Sequence, residues 1–285
     1  MGSPDASRRG VRKTASIGAL IVVLLIAGCG GGDGGSEAID LTKRLAPGGD
    51  FYAVVDVATL KQDLGLPEDA DPLDITAESD PVAELVSPAL SPLAGLVDPE
   101  IAEALDLGAV DAAAASSIGS DGVTVISTTA DTGEVGSALG DLGFEDRGGI
   151  LEGDGEGAPT FRLEEGFILV AADPSLLRDL PAEPADELPA PMLGELDGSG
   201  IFISTRPSAC TTGFGMGSDA DGSGEVGFLV EGGADAARLE LDEDAGISFG
   251  VPEVDGALIT VAVDSDDGSA AAPAAAALLL VNYDC

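Results

Sequence analysis

The chain has 285 residues, with 52 Asp and Glu against 12 Lys and Arg, a formal charge of −40, and neither histidine nor tryptophan. Such a charge repels phosphate backbones and argues against nucleic acid as a partner. Without histidine, no His-based triad, His-ligated zinc site or imidazole proton shuttle can be assembled, so any catalysis would rest on carboxylates, hydroxyls, arginine or lysine.

The first segment is basic and then apolar. Arg8, Arg9, Arg12 and Lys13 precede an uncharged run from Thr14 to Gly28. Its apolar core, Ile17 to Ala27, has the length of a signal-peptide h-region and falls short of the ~20 residues a spanning helix needs. Ile26-Ala27-Gly28-Cys29 then reads as a lipobox, with small residues before the cysteine. The pattern resembles bacterial lipoprotein signal peptides. That resemblance implies removal of residues 1–28, acylation of Cys29 by palmitate-type chains, and residence on the extracytoplasmic face of the cell membrane. Ser7-Arg8-Arg9-Gly10-Val11-Arg12-Lys13 is also similar to the twin-arginine export motif, but departs from it at Val11 and Arg12, which leaves both export routes open. Two acyl chains hold stably where one holds weakly, each buried methylene contributing about 0.8 kcal/mol. Residues 29–45 read as the lipidated cysteine and its tether, in which Gly30 to Ser36 is a flexible spacer of about 15 Å.

Beyond the leader the net charge falls to about −43. The partners this charge suits are cations, basic peptides or polymers, and neutral surfaces; an acidic proteome would give the same charge with no partner at all. The elements follow in order. Phe51 to Val57 is a strand, Thr59 to Leu64 a turn or two of helix, and Pro67 to Asp80 an acidic loop. Between Pro81 and Leu107 apolar residues recur at helical spacing, with Pro88, Pro92 and Pro99 each suited to start a short helix. Ala113–Ile118 and Val123–Thr128 form a hairpin across a Gly-Ser-Asp-Gly turn. Asp131 caps a helix to Leu142, strands follow at 149–151, 160–163 and 167–171, and Asp173 caps the helix 174–180.

Pro181–Pro191 reads as a Pro/acidic linker between a first half, 46–180, and a second, 192–285. Strands are expected at 200–205, 225–230, 237–242, 246–251 and 257–264, then a helix at 269–278 and a strand at 279–284. The order predicts an α+β fold with antiparallel sheets and helices on one face. Residues 122–131 align weakly with 256–265, which suits either two related halves side by side or two unrelated strand–turn–helix units.

Two cysteines remain after Cys29. Cys210 and Cys285 form an even pair that suggests a disulfide in an oxidising compartment, with two free thiols or a bond to another chain as alternatives. Asp219, Asp221 and Ser223 resemble the opening ligands of an EF-hand calcium loop at its first, third and fifth positions, with Gly224 at the bend and the aliphatic Val226 at the eighth. The resemblance fails at Val230, where the family places a bidentate Glu, and the flanks read as strand. The acidic loop 264–269 reads as a helix cap. Arg206, before Pro207, suits a rim salt bridge better than a site. Carboxylate pairs such as Glu164–Glu165 and Asp242–Asp244 are too common in so acidic a chain to mark a reaction. The sequence therefore points to a non-catalytic extracytoplasmic binding or structural module with no required cofactor and a protein or cell-envelope partner. A calcium-responsive module and a carboxylate-based envelope hydrolase are the alternatives.

Overall fold

The structure is a computed structural model and describes residues 34–71, 98–118, 121–155, 157–181, 183–207, 210–218, 224–241, 247–265 and 281–283. The leader, Cys29 and the helices expected within 81–97 and 269–278 lie outside the described residues. The fold is α+β and dominated by one antiparallel sheet of thirteen strands.

At the centre of the sheet β1 (Phe51–Asp56) pairs with β8 (Gly200–Ser204), Ala53 opposite Phe202. On one side of β1 follow β2 (Val110–Ile118), β3 (Asp121–Thr128), β7 (Phe167–Ala171), β6 (Thr160–Glu164), β5 (Leu151–Glu152) and β4 (Glu145–Asp146). On the other side of β8 follow β9 (Thr211–Ser218), β10 (Gly224–Val230) and β14 (Leu258–Ser265), with β12 (Ile247–Phe249) and β13 (Glu253–Asp255) sharing the outer edge of β14. A second sheet joins β11 (Leu239–Leu241) to β15 (Val281–Tyr283).

The two halves thus share one sheet, and outward from the centre the strands run β1-β2-β3-β7 and β8-β9-β10-β14. This order makes β10 the counterpart of β3, whereas the weak sequence alignment matched β3 with β14. The described residues of 181–191 do not form a free linker. Ala185 N–H donates to the Lys43 carbonyl at 2.8 Å, and Ala190 is buried.

Helices lie on both faces, which corrects the one-face expectation. Alternation along the strands decides this. Val55, Ala113, Ile126, Ile168 and Val170 point to a core closed by α2 (Val57–Asp63), α3 (Pro99–Leu105) and α4 (Thr132–Asp141). Val54, Ala114, Val125, Leu169 and Ile203 point the other way, into a core closed by α1 (Gly34–Asp40), α5 (Pro174–Asp179) and the 3-10 turns 41–44 and 191–194. Strands buried on both faces carry apolar residues at successive positions, as Phe167-Ile168-Leu169-Val170 does. A third core, around Met216, Phe228 and Val261, is flanked by Leu239, Leu241 and Tyr283 of the small sheet.

Local chemistry sets the helix bounds. The Asp131 carboxylate accepts from Gly133 and Glu134 N–H at 2.8 and 3.1 Å, and α4 ends where Gly143 adopts φ +93°. There Phe144 N–H reaches the Leu139 carbonyl and Gly143 N–H that of Gly140, a Schellman closure. Asp98 and Asp173 cap α3 and α5, each followed by proline at the first helical position.

The sequence reading misses β9. Gly213, Gly215 and Gly217 occupy one face of this strand and Gly227 continues the strip on β10, with residues 192–197 lying directly on them. A Cβ at Gly215 would stand 2.7 Å from Leu196, and one at Gly217 would collide with the Asp197 carbonyl oxygen.

Candidate functional site

A cavity of about 820 Å³ opens at the sheet end where β1 finishes and β2 begins. Its cover is α1, the turn 41–44 and residues 183–186. This cover is held in place because Ala38, Leu41 and Leu45 are buried in the core and the Ala185–Lys43 backbone bond closes the loop onto the turn. Residues 34–45, expected to be a free tether, therefore belong to the folded domain.

Ala38, Leu41, Ala112 and Phe167 supply the apolar lining, and Glu37, Asp40, Asp56, Asp111, Glu183 and Asp186 the carboxylates. Two cations reach the cavity, and both are engaged by neighbours. Lys43 pairs with Asp40 at 2.7 Å. Arg44 pairs with Glu164 at 3.0 Å while its guanidinium lies 3.8 Å over the Phe167 ring. Glu164 also holds Arg162 at 2.9 Å. Glu37, Glu183 and Asp186 form no ion pair among the described residues. The wall is consequently negative, with an apolar floor.

Asp56 and Asp111 line the cavity where β1 ends and β2 begins. Asp56 is buried and caps α2, accepting from Thr59 N–H at 2.9 Å. Burial raises the Asp111 carboxyl above the usual aspartate range; the Lys61 ammonium opposes the rise and the Asp56 carboxylate adds to it. Lys61, only 4% exposed, is fixed by backbone carbonyls, donating to Gly108 at 2.6 Å and Glu68 at 2.8 Å. Chemically, the arrangement suits a positive charge carried on an apolar frame, and its two adjoining acids differ in environment.

None of the described residues expected from sequence lines this cavity. Cys29, Asp219, Asp221, Ser223 and Cys285 lie outside the described residues. The 219–223 segment joins β9 to β10, and Ser218 pairs with Gly224, so its flanks are a hairpin and not the two helices of an EF-hand. Cys210 precedes β9 and its carbonyl accepts from Glu231 N–H at 3.0 Å. Arg206 pairs with Asp50 at 3.0 Å beside the Phe51 ring, as a rim salt bridge. The cavity acids come from segments scattered between residues 37 and 186, and no local motif marks them.

No family model and no curated protein matches this chain. A solved structure, crystal form IV of TP0453, is similar over 82% of this chain and 96% of its own, at 9% identity and a TM-score of 0.42. A likeness at that level carries no argument about activity.

Proposed function

We propose that this chain is a lipid-anchored extracytoplasmic protein, non-catalytic, whose acidic cavity binds a positively charged partner. The lipobox residues before Cys29 support the location. The observation that carries the binding reading is the cavity itself: its carboxylates outnumber its cations, and Lys43 and Arg44 are already paired. A basic side chain or organic cation entering there meets several carboxylates at once, whose fields add across the lining.

Calorimetric titration of the mature chain in detergent with spermine and with a lysine-rich peptide tests this. Glu183→Gln/Asp186→Asn should weaken binding, while Glu145→Gln/Asp146→Asn, on the far edge strand, should leave it intact. Equal weakening by both pairs would mean diffuse attraction to the acidic surface and would sink the cavity reading.

A second reading is favoured by the raised carboxyl of Asp111 beside Asp56. Under it the pair would act as acid and base in hydrolysis of envelope material. Turnover of an envelope glycan or ester that disappears in Asp111→Asn, with cation binding retained, would establish it in place of the non-catalytic one.

A further inference from the structure

Resting on the lipobox reading, we infer that the cavity end of the domain faces the membrane and that electrostatic repulsion holds it in that posture. Cys29 and Gly34 are five residues apart, so the lipidated residue lies at most about 18 Å from the start of α1. Helical rise adds only about 4.5 Å along α1 to Glu37, which lines the cavity. The anchor point is firm, since Ala38, Leu41 and Leu45 are buried.

The opposite pole is the far end of β10, where Glu231 follows Val230. Strand rise and strand spacing put it roughly 30 Å from Asp56. A domain of charge about −43, tethered at one pole to an anionic surface, is pushed outward until its acidic surface lies beyond the Debye length of about 8–10 Å. Its free pole then points away, and the cavity end remains the end nearest the membrane.

The absence of tryptophan gives a clean reporter. The full lipidated protein is reconstituted into vesicles of phosphatidylcholine with phosphatidylglycerol and dansyl-labelled lipid, carrying a single tryptophan as Glu37→Trp or Glu231→Trp. Energy transfer should be several-fold stronger from position 37, and the contrast should shrink in high salt or without phosphatidylglycerol. Equal or reversed transfer in vesicle-bound protein overturns the posture. Failure to float with the vesicles, or flotation unchanged in Cys29→Ser, instead overturns the lipid anchor.

Discussion

The Lys61 ammonium donates to the carbonyl of Gly108 across 47 positions, at 2.6 Å, and in doing so ties α2 to the turn that leads into β2. The same group holds the Glu68 carbonyl at 2.8 Å. Burial lowers its pKa below 10.5, against the pull of Asp111, Asp71, Asp69 and Asp106. Because the folded state binds this proton less tightly than the unfolded chain, Lys61 adds stability as pH rises from its lowered value toward 10.5. Lys61→Met should cost about 1–3 kcal/mol by stranding carbonyls and should abolish that rise. Denaturant melts across alkaline pH read both effects.

Tyr52 has the opposite sign. Burial raises its pKa above 10.0, with the bonds to Gly49 and Gly48 opposing. Its contribution is complete below 10.0 and is lost as pH climbs through the raised value. Its hydroxyl accepts from Gly49 N–H at 2.8 Å and donates to the Ala46 carbonyl at 3.2 Å. Tyr52→Phe should cost about 0.5–1.5 kcal/mol at neutral pH and flatten the alkaline loss. An unchanged alkaline limb in this variant would refute the assignment.

The glycine strip on β9 should resist any side chain. Gly217→Ala drives a methyl into the Asp197 backbone, whose N–H is itself held by Glu225 at 2.8 Å. A loss of about 1–3 kcal/mol is expected from overpacking. Gly140→Ala, on the exposed side of α4 with open space around it, should instead gain up to about 1 kcal/mol. Thermal melts of the two variants must move in opposite directions.

The Cys210–Cys285 bridge expected from sequence involves Cys285, which lies outside the described residues, and direct mapping tests it. Tyr283 pairs with Leu239 and its hydroxyl accepts from Asp235 N–H at 3.2 Å, while Cys210 meets Glu231 through the backbone. Unreduced peptide maps should recover the two cysteines linked, and reduction should cost about 4 kcal/mol in the chain-entropy model. Covalent dimers would assign the thiols to another chain.

Calcium is tested by melting. Millimolar Ca²⁺ and Mg²⁺ at matched ionic strength should raise the midpoint equally, by relieving self-repulsion in an acidic domain. A site filled to 100 times its Kd would add about 2.7 kcal/mol for Ca²⁺ alone. Such a shift, lost in Asp219→Asn/Asp221→Asn, would establish the calcium reading.

Legibility followed the range of the determining interaction. The β2–β3 hairpin and the helices capped by Asp131 and Asp173 rest on signals within a few residues, and each is present with nearly the expected bounds. β9 escaped because Thr-Thr-Gly-Phe-Gly-Met-Gly-Ser resembles a loop until residues 192–197 are known to need its bare face. α1 escaped because its glycine-rich start is indistinguishable from a spacer, and Ala38 becomes a core residue only when the sheet is there to receive it. The cavity was invisible for the same reason: its acids meet only in three dimensions.

Placing β1 against β8 also fixes when the protein can finish folding. Thr205 donates to the Gly49 carbonyl across 156 positions, so the strand synthesised first keeps an open edge until the second half has emerged. A fragment ending near residue 190 would expose that edge as a template for other chains, and long-range pairing of this kind slows folding. The middle of the sheet therefore cannot close before residues 200–204 have been made, and until then the open edge of β1 is exposed to aggregation.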